Sequence, residues 1–141
     1  MKRTVKFRGK SEDNSEWFYG FLQKYQEKHA SRLCICAVSV RTWKDALIYS
    51  VRPDTVGQFT GLLDKNGKEI YEGDIIGCHN PDIKHLIFYN EKQGRFMAAL
   101  NGDIENDFVG VCGLDDSRWI ASKEVIGNVY DNPELLKGGN K

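Results

Sequence analysis

An Asn-Gly pair at residues 66–67 lies between two apolar runs and constrains the fold more than any other feature of the chain. The type I′ turn of a two-residue hairpin needs positive φ at both central residues, and Asn and Gly adopt it most readily. We therefore predict a β-hairpin with a type I′ turn, followed by a second turn at residues 72–74. Seven residues are expected to act through turn geometry, namely Gly61, Asp64, Asn66, Gly67, Gly73, Asp74 and Gly127.

Short apolar or alternating segments recur along the rest of the chain, separated by turn-forming residues about every ten positions. They predict strands over residues 4–10, 17–22, 32–40, 46–51, 85–89, 95–100, 108–112 and 124–130. The first two strands are expected to pair as a hairpin, and the second, which is aromatic on both faces, to be covered on both sides. Residues 23–31 predict an exposed loop with a helical turn, and residues 132–136 a short capped helical turn.

These strands, without a long amphipathic helix, predict a mainly β fold. A chain of 141 residues has the size of one domain. We predict a single domain over residues 1–141, with residues 137–141 as a flexible tail. Its architecture is expected to be a partly open SH3-like barrel or two packed antiparallel sheets. With no hydrophobic leader and no apolar run long enough to span a membrane, we expect a cytoplasmic protein without membrane contact, whose four cysteines are reduced.

The charges of the chain are balanced overall but unevenly distributed along it. Before Gly57 there are eleven Lys and Arg against six Asp and Glu, a net charge of +5; from Gly57 onward there are nine against fourteen, a net charge of −5. Such polarity could attract charged ligands, or attract one end of a subunit to the opposite end of another. Because one domain usually interleaves its strands, we expect the two halves to interleave and their charges to mix.

Five motifs occur in a specific order along the chain. They are KFRGK at residues 6–10, EWFYG at 16–20, PDTVGQFTGL at 53–62, DKNGKEIYEGDI at 64–75 and IGNVYDNPELL at 126–136. In these motifs the chain resembles the YopX family, small proteins of bacteriophages, prophages and other mobile elements. The resemblance covers nearly the whole chain and is weakest over residues 23–50 and 101–122. It implies a mainly β domain in a phage or bacterial setting, and it supplies no reaction and no catalytic residues.

One candidate site is a basic surface for nucleic acid. Arg3, Lys6, Arg8 and Lys10 are expected along one face of the first strand, beside the aromatic residues 17–19. Cations next to stacking aromatic rings on a small β-barrel bind single-stranded nucleic acid in many proteins. The sequence pI of about 6.8 is lower than a dedicated nucleic-acid binder usually has, so an ordinary solvated strand face is the favoured interpretation.

Metal sites and hydrolytic sites have weaker support. Cys34, Cys36, Cys78, His79 and His85 lack the paired spacing of structural zinc ligands, so buried inert thiols are favoured. Residues 64–69 do not have the ligands of a calcium loop. The carboxylates Asp103, Glu105 and Asp107 could hold a divalent ion in a hydrolase, although a solvated acidic strand edge explains them better. We assign no catalytic residue, no metal ligand and no cofactor.

The sequence therefore favours a non-catalytic accessory binding module. Its expected partner is another protein or further copies of the chain, because strand edges and the uneven charge offer surfaces for both. A nucleic-acid-binding β-barrel is the alternative, and a metal-dependent hydrolase is the third hypothesis. The identity of the partner and the process that it serves do not follow from the residues.

Overall fold

The computed structural model describes residues 4–13, 15–26, 28, 31–37, 47–106, 108–110 and 114–137. Its contacts divide the chain into two compact units, Met1–Phe59 and Thr60–Lys141, which we call the N-terminal and C-terminal units. Both are built mainly from antiparallel strands, and the predicted mainly β fold with two antiparallel sheets is confirmed. That one family domain covers residues 1–141 stays a prediction.

The strands of the N-terminal unit follow one another in a simple antiparallel arrangement. They are β1 (Phe7–Lys10), β2 (Trp17–Gln26), β3 (Ser31–Ala37), β4 (Leu47–Ser50) and the first residues of β5 (Gly57–Leu63), with a short 3-10 helix at Pro53–Thr55. The strand order is β4-β3-β2-β1-β5. The predicted hairpin of the first two strands is confirmed, since β1 and β2 pair with Arg8 opposite Tyr19.

Strand β2 is longer than the sequence predicts. The loop predicted over residues 23–31 is wrong for residues 23–26, which pair with residues 31–34 of β3. Gln23 and Lys24 are polar and exposed, so these two residues contribute nothing to an apolar pattern. Backbone pairing with β3 holds this part of the strand extended instead, which is a tertiary effect that the local sequence does not contain.

The C-terminal unit contains the second sheet and the longest helix of the described residues. Its elements are the end of β5, β6 (Glu69–Tyr71), β7 (Asp74–Gly77), β8 (Lys84–Asn90), β9 (Arg95–Leu100), β10 (Phe108–Gly110), α1 (Leu114–Ala121), β11 (Glu124–Asn128) and a 3-10 helix at Pro133–Leu136. Strand β6 lies next to β5, and the second sheet has the order β10-β9-β8-β7-β11. The predicted hairpin over residues 85–100 is confirmed as β8 and β9.

The core of the C-terminal unit lies on one face of the second sheet, where helix α1 packs. Ile76, Ile87 and Ala98 project from neighbouring strands and are almost fully buried. Ile120 of α1 completes this cluster, and Trp119 packs against it. Alternation along each strand places these side chains on the same face, so burial of this apolar surface holds α1 on the sheet.

The charge division of the sequence coincides with the division into units. No charged residue occurs between Gly57 and Phe59, so the N-terminal unit carries eleven minus six, or +5, and the C-terminal unit carries nine minus fourteen, or −5. Each unit is a continuous stretch of chain. The two units are therefore successive in the chain, and the expectation that the two halves interleave and their charges mix in space stays a prediction.

The hairpin around Asn66-Gly67 is present, but its turn differs from the predicted type I′. Gly67 has a φ of 80°, whereas Asn66 does not have positive φ. The Gly67 N–H donates to the Asp64 carbonyl oxygen at 3.0 Å, and the Asp64 N–H donates to the Lys68 carbonyl oxygen at 2.8 Å. This is the pattern of a type I turn followed by a G1 bulge, in which only the residue after the turn needs positive φ.

We predict that Gly67→Val lowers the free energy of unfolding by about 2 kcal/mol, because a β-branched residue is strained at this φ. A Cβ at this position would meet no atom within 4 Å, so backbone strain is separated from crowding. Urea unfolding checks the prediction, with Gly67→Asn as the control that tolerates positive φ and loses less. A Gly67→Val variant as stable as the parent would contradict the turn assignment.

Candidate functional site

The N-terminal sheet exposes three large apolar side chains on one face. Tyr19 and Phe21 are two residues apart on β2 and so share a face, and they are 49% and 54% exposed. Phe21 lies opposite Cys36, and Cys36 lies opposite Ile48 of β4, which is 52% exposed. We call Tyr19, Phe21 and Ile48 the N-terminal patch. The prediction that strand 17–22 is covered on both sides is therefore wrong.

The opposite face of this sheet forms the interior of the N-terminal unit. The rings of Phe18 and Tyr49 stack there with centroids 3.8 Å apart. Ile35 and Val51 are fully buried, and a Cβ on Gly9 would approach the Val51 side chain to 2.9 Å. Because this face is already packed, large apolar side chains of the sheet reach solvent from the other face, where the N-terminal patch lies.

The basic residues of β1 lie on the same face as the patch, but two of them are buried. Arg8 and Lys10 are only 5% and 7% exposed. The Arg8 guanidinium carbon lies 4.6 Å from the centroid of the Trp17 ring, and Lys10 Nζ lies 5.7 Å from it. These distances are within the range of cation–π attraction. The solvated strand face that the sequence favoured is therefore wrong for these two cations.

The other basic residues of the nucleic-acid candidate have different positions. Lys6 is half-buried, with Nζ 5.2 Å from the centroid of the Phe59 ring. Arg3 lies outside the described residues. The structure thus places Arg8 and Lys10 on one face of β1 and Lys6 just before the strand, each within 6 Å of an aromatic ring centroid. That the four residues bind nucleic acid stays a prediction.

The Asp64 carboxylate accepts three backbone N–H groups. Its Oδ1 accepts the backbone N–H groups of Asn66 and Lys68 at 2.8 and 2.9 Å, and its Oδ2 accepts that of Val125 at 3.0 Å. Beside it, the Lys65 N–H donates to the Lys123 carbonyl oxygen at 2.9 Å. The carboxylate therefore connects the hairpin loop to the beginning of β11, and its role is structural.

These contacts also set the ionisation of Asp64. Burial raises the pKa of this carboxyl and is the largest single effect, but the N–H donors of Val125, Lys68 and Asn66 and the charge of Lys68 lower it. Together they outweigh burial, so the pKa of Asp64 lies below its ordinary value of 3.8. The folded chain thus favours the ionised form.

The remaining turn residues have distinct local roles. Gly61 and Gly73 have φ values of 84° and 92°, the region where glycine is favoured. The Asp74 carboxylate is buried and accepts the Tyr71 N–H at 2.8 Å across the second turn. At Gly127 the restriction is space, because a Cβ would lie 2.6 Å from Oδ1 of Asn132.

The metal and hydrolase candidates are only partly within the described residues. Asp103 Oδ1 accepts the Asn106 N–H at 3.2 Å, and Glu105 is exposed, while Asp107 lies outside the described ranges. Cys34 and Cys78 are free thiols, and His85 packs edge-on against Trp119 with centroids 4.9 Å apart. Across the described ranges, no three His, Cys, Asp or Glu side chains lie together in a way that could hold a metal ion.

The described helices are also short. None of those within the described parts of the chain is long and apolar enough to cross a membrane.

The fold and its motifs define a small mainly β protein with a two-sheet architecture. The sequence matches the family described as YopX protein over residues 6–137, and the chain therefore belongs to the YopX family. The chain is also similar to a solved crystal structure, that of protein EF1440 from Enterococcus faecalis. The two share 26% identity with a TM-score of 0.56, over 96% of this chain and 99% of that chain. No curated protein matches the chain.

We predict that Asp64→Asn lowers the free energy of unfolding by about 1–3 kcal/mol at pH 7, because an amide nitrogen cannot accept one of the three N–H groups. The folded pKa is below the unfolded pKa, so the contribution of the carboxylate is complete above about pH 4 and is lost as the pH falls toward the folded pKa. Urea unfolding of parent and variant from pH 7 to pH 3 should show their difference shrinking below about pH 4. An unchanged difference at pH 3, or an equal effect of Asp103→Asn, would contradict this role.

We predict that Trp17 and Arg8 are energetically coupled. A double-mutant cycle with Trp17→Leu and Arg8→Met should give a coupling free energy of about 0.5–2 kcal/mol in urea unfolding, because the cation lies over the ring in a buried site. The matched pair is Trp17→Leu with Lys24→Met, since Lys24 is an exposed cation of the same unit on the other face of the sheet. Additive effects in both cycles would show that the Arg8–Trp17 contact contributes nothing to stability.

Proposed function

We propose that the chain is a non-catalytic accessory protein that binds another protein chain through the N-terminal patch. The observation that carries this proposal is the exposure of Tyr19, Phe21 and Ile48, each about half accessible on one face of a paired sheet. Keeping large apolar side chains in water is unfavourable, and grouped exposure of this kind marks interaction surfaces. Aromatic residues are also enriched at protein–protein interfaces.

The composition of the patch favours protein over nucleic acid as the ligand. Ile48 has no ring on which a base could stack, and Arg8 and Lys10 are too buried to contact phosphates from the surface. The net charge of +5 on the N-terminal unit supports nucleic acid as the second candidate, with Tyr19 and Phe21 as stacking residues. The setting is part of the same proposal: a phage or prophage protein in the cytoplasm of a bacterial host, as the family resemblance implies.

Site-specific photo-cross-linking tests the proposal and captures the partner whatever its identity. A photoreactive phenylalanine analogue replaces Phe21 in one variant and Leu63 in the control, because Leu63 is 49% exposed in the other unit. In host cells, position 21 should give a defined protein adduct that position 63 does not give. The protein in the adduct is then purified and titrated directly with the parent chain.

In that titration, Phe21→Ser and Ile48→Ser should each weaken binding by about tenfold or more, as expected for central residues of an interface. Leu63→Ser should leave the affinity unchanged, and melting curves must show all three variants folded. The absence of protein adducts specific to position 21 would overturn the proposal. Adducts to nucleic acid at position 21 would replace it with the second candidate.

A further inference from the structure

The turn at Asn66-Gly67 places an electrophile and a nucleophile next to each other in the chain. The side-chain amide of Asn66 precedes the backbone nitrogen of Gly67, and both residues are exposed. Glycine has no Cβ to shield its nitrogen, and no atom lies within 4 Å of the position that a Cβ on Gly67 would occupy. Asn is also one of the thermolabile residues. The surroundings of this pair therefore permit a reaction between the two groups.

The reaction is deamidation through a cyclic imide. The Gly67 nitrogen gives up its proton and forms a bond to Cγ of Asn66, while the bond from Cγ to Nδ2 breaks and the amide leaves, with that proton, as ammonia. Water then opens the ring. Opening at Cγ leaves an ordinary aspartate, whereas opening at the backbone carbonyl leaves isoaspartate, in which the main chain runs through Cγ and is one atom longer.

In the folded chain the turn restrains both reacting groups. The Gly67 N–H donates to the Asp64 carbonyl oxygen at 3.0 Å, and Nδ2 of Asn66 donates to Oε1 of Glu124 at 3.3 Å. The Asp64 carboxylate holds the loop on both sides of Gly67, because its Oδ1 accepts the N–H groups of Asn66 and Lys68. Ring closure turns the Gly67 nitrogen toward Cγ of Asn66, so the turn must open first.

We propose that Asn66 is a deamidation site whose rate is controlled by the Asp64 carboxylate. The observed rate is the rate in the open turn multiplied by the fraction of molecules in which the turn is open. Both products carry a carboxylate in place of the amide that donates to Glu124, and isoaspartate also lengthens the loop. Modification therefore weakens the connection between the hairpin and β11.

A second Asn-Gly pair, at residues 101–102, serves as a control within the same chain. The Gly102 N–H donates to the Ala99 carbonyl oxygen at 3.1 Å, so this nitrogen is also restrained by a turn. Both residues of the pair are half-buried, and a Cβ on Gly102 would lie 3.2 Å from Cδ1 of Leu136. The hydrogen bonds of the Asp64 carboxylate go to its own loop and to β11. A change at residue 64 should therefore affect the first pair and not the second.

Timed incubation of the purified full chain at mildly alkaline pH tests the proposal, because base removes the proton from the attacking nitrogen. Peptide mapping by mass spectrometry reports each site separately, since deamidation adds about one dalton to its peptide. Asp64→Asn should raise the rate at residue 66 by about fivefold or more and leave the rate at residue 101 unchanged. Asp82→Asn, at an exposed carboxylate of a different turn, should leave both rates unchanged.

The incubation is carried out at a temperature where melting curves show the variants folded. Equal rates at residue 66 in the parent and Asp64→Asn overturn the proposal, and so does a rise of the same size at residue 101.

The parent provides a second measurement that does not depend on the folding of a variant. Deamidation at residue 66 should be slower in the folded chain than in urea, by the same factor by which the folded chain slows hydrogen exchange of the Gly67 N–H, since both need the turn to open. A residue 66 that reacts equally fast with and without urea also overturns the proposal.

Discussion

The buried carboxylate of Asp64 is the interaction on which the arrangement of the C-terminal unit depends. One side chain accepts three backbone N–H groups, two from its own hairpin loop and one from the beginning of β11, sixty-one residues later in the chain. Strands β5 and β6 and strand β11 belong to different sheets. The carboxylate thus connects a local turn with a distant strand, and the ion pair of Lys65 with Glu124 at 3.7 Å adds only a small exposed contribution.

The same alternation of side chains explains both what is buried and what is exposed. In the second sheet, one face of β7, β8 and β9 is apolar and covered by α1. In the N-terminal unit, both faces of β2 carry aromatic residues, but only Phe18 lies on the packed face. Tyr19 and Phe21 lie on the other face and reach solvent. An apolar residue on a strand therefore indicates burial only when something covers its face, which makes the exposed pair informative about function.

The sequence predicted the parts of the fold that local chemistry determines. The hairpin at residues 64–68, the turn at Gly73 and most strands follow from turn residues and alternation. The turn type did not, because the Asp64 side chain binds the N–H groups of Asn66 and Lys68 and holds Asn66 away from positive φ. The end of β2 was missed because three of its last four residues, Gln23, Lys24 and Gln26, are polar and carry no apolar pattern, so only backbone pairing with β3 makes it a strand.

The sequence placed its candidate site on the basic residues of β1, whereas the N-terminal patch lies on β2 and β4. Arg8 and Lys10 form the conspicuous basic alternation, yet both are buried beside Trp17, a result that depends on what packs over β1. Phe21 and Ile48 are 27 residues apart and become neighbours only through the register across β3, so no local pattern joins them. The uneven charge is visible in the sequence. The structure adds that the chain divides into two compact units at nearly the same place, so that each unit has a net charge of its own.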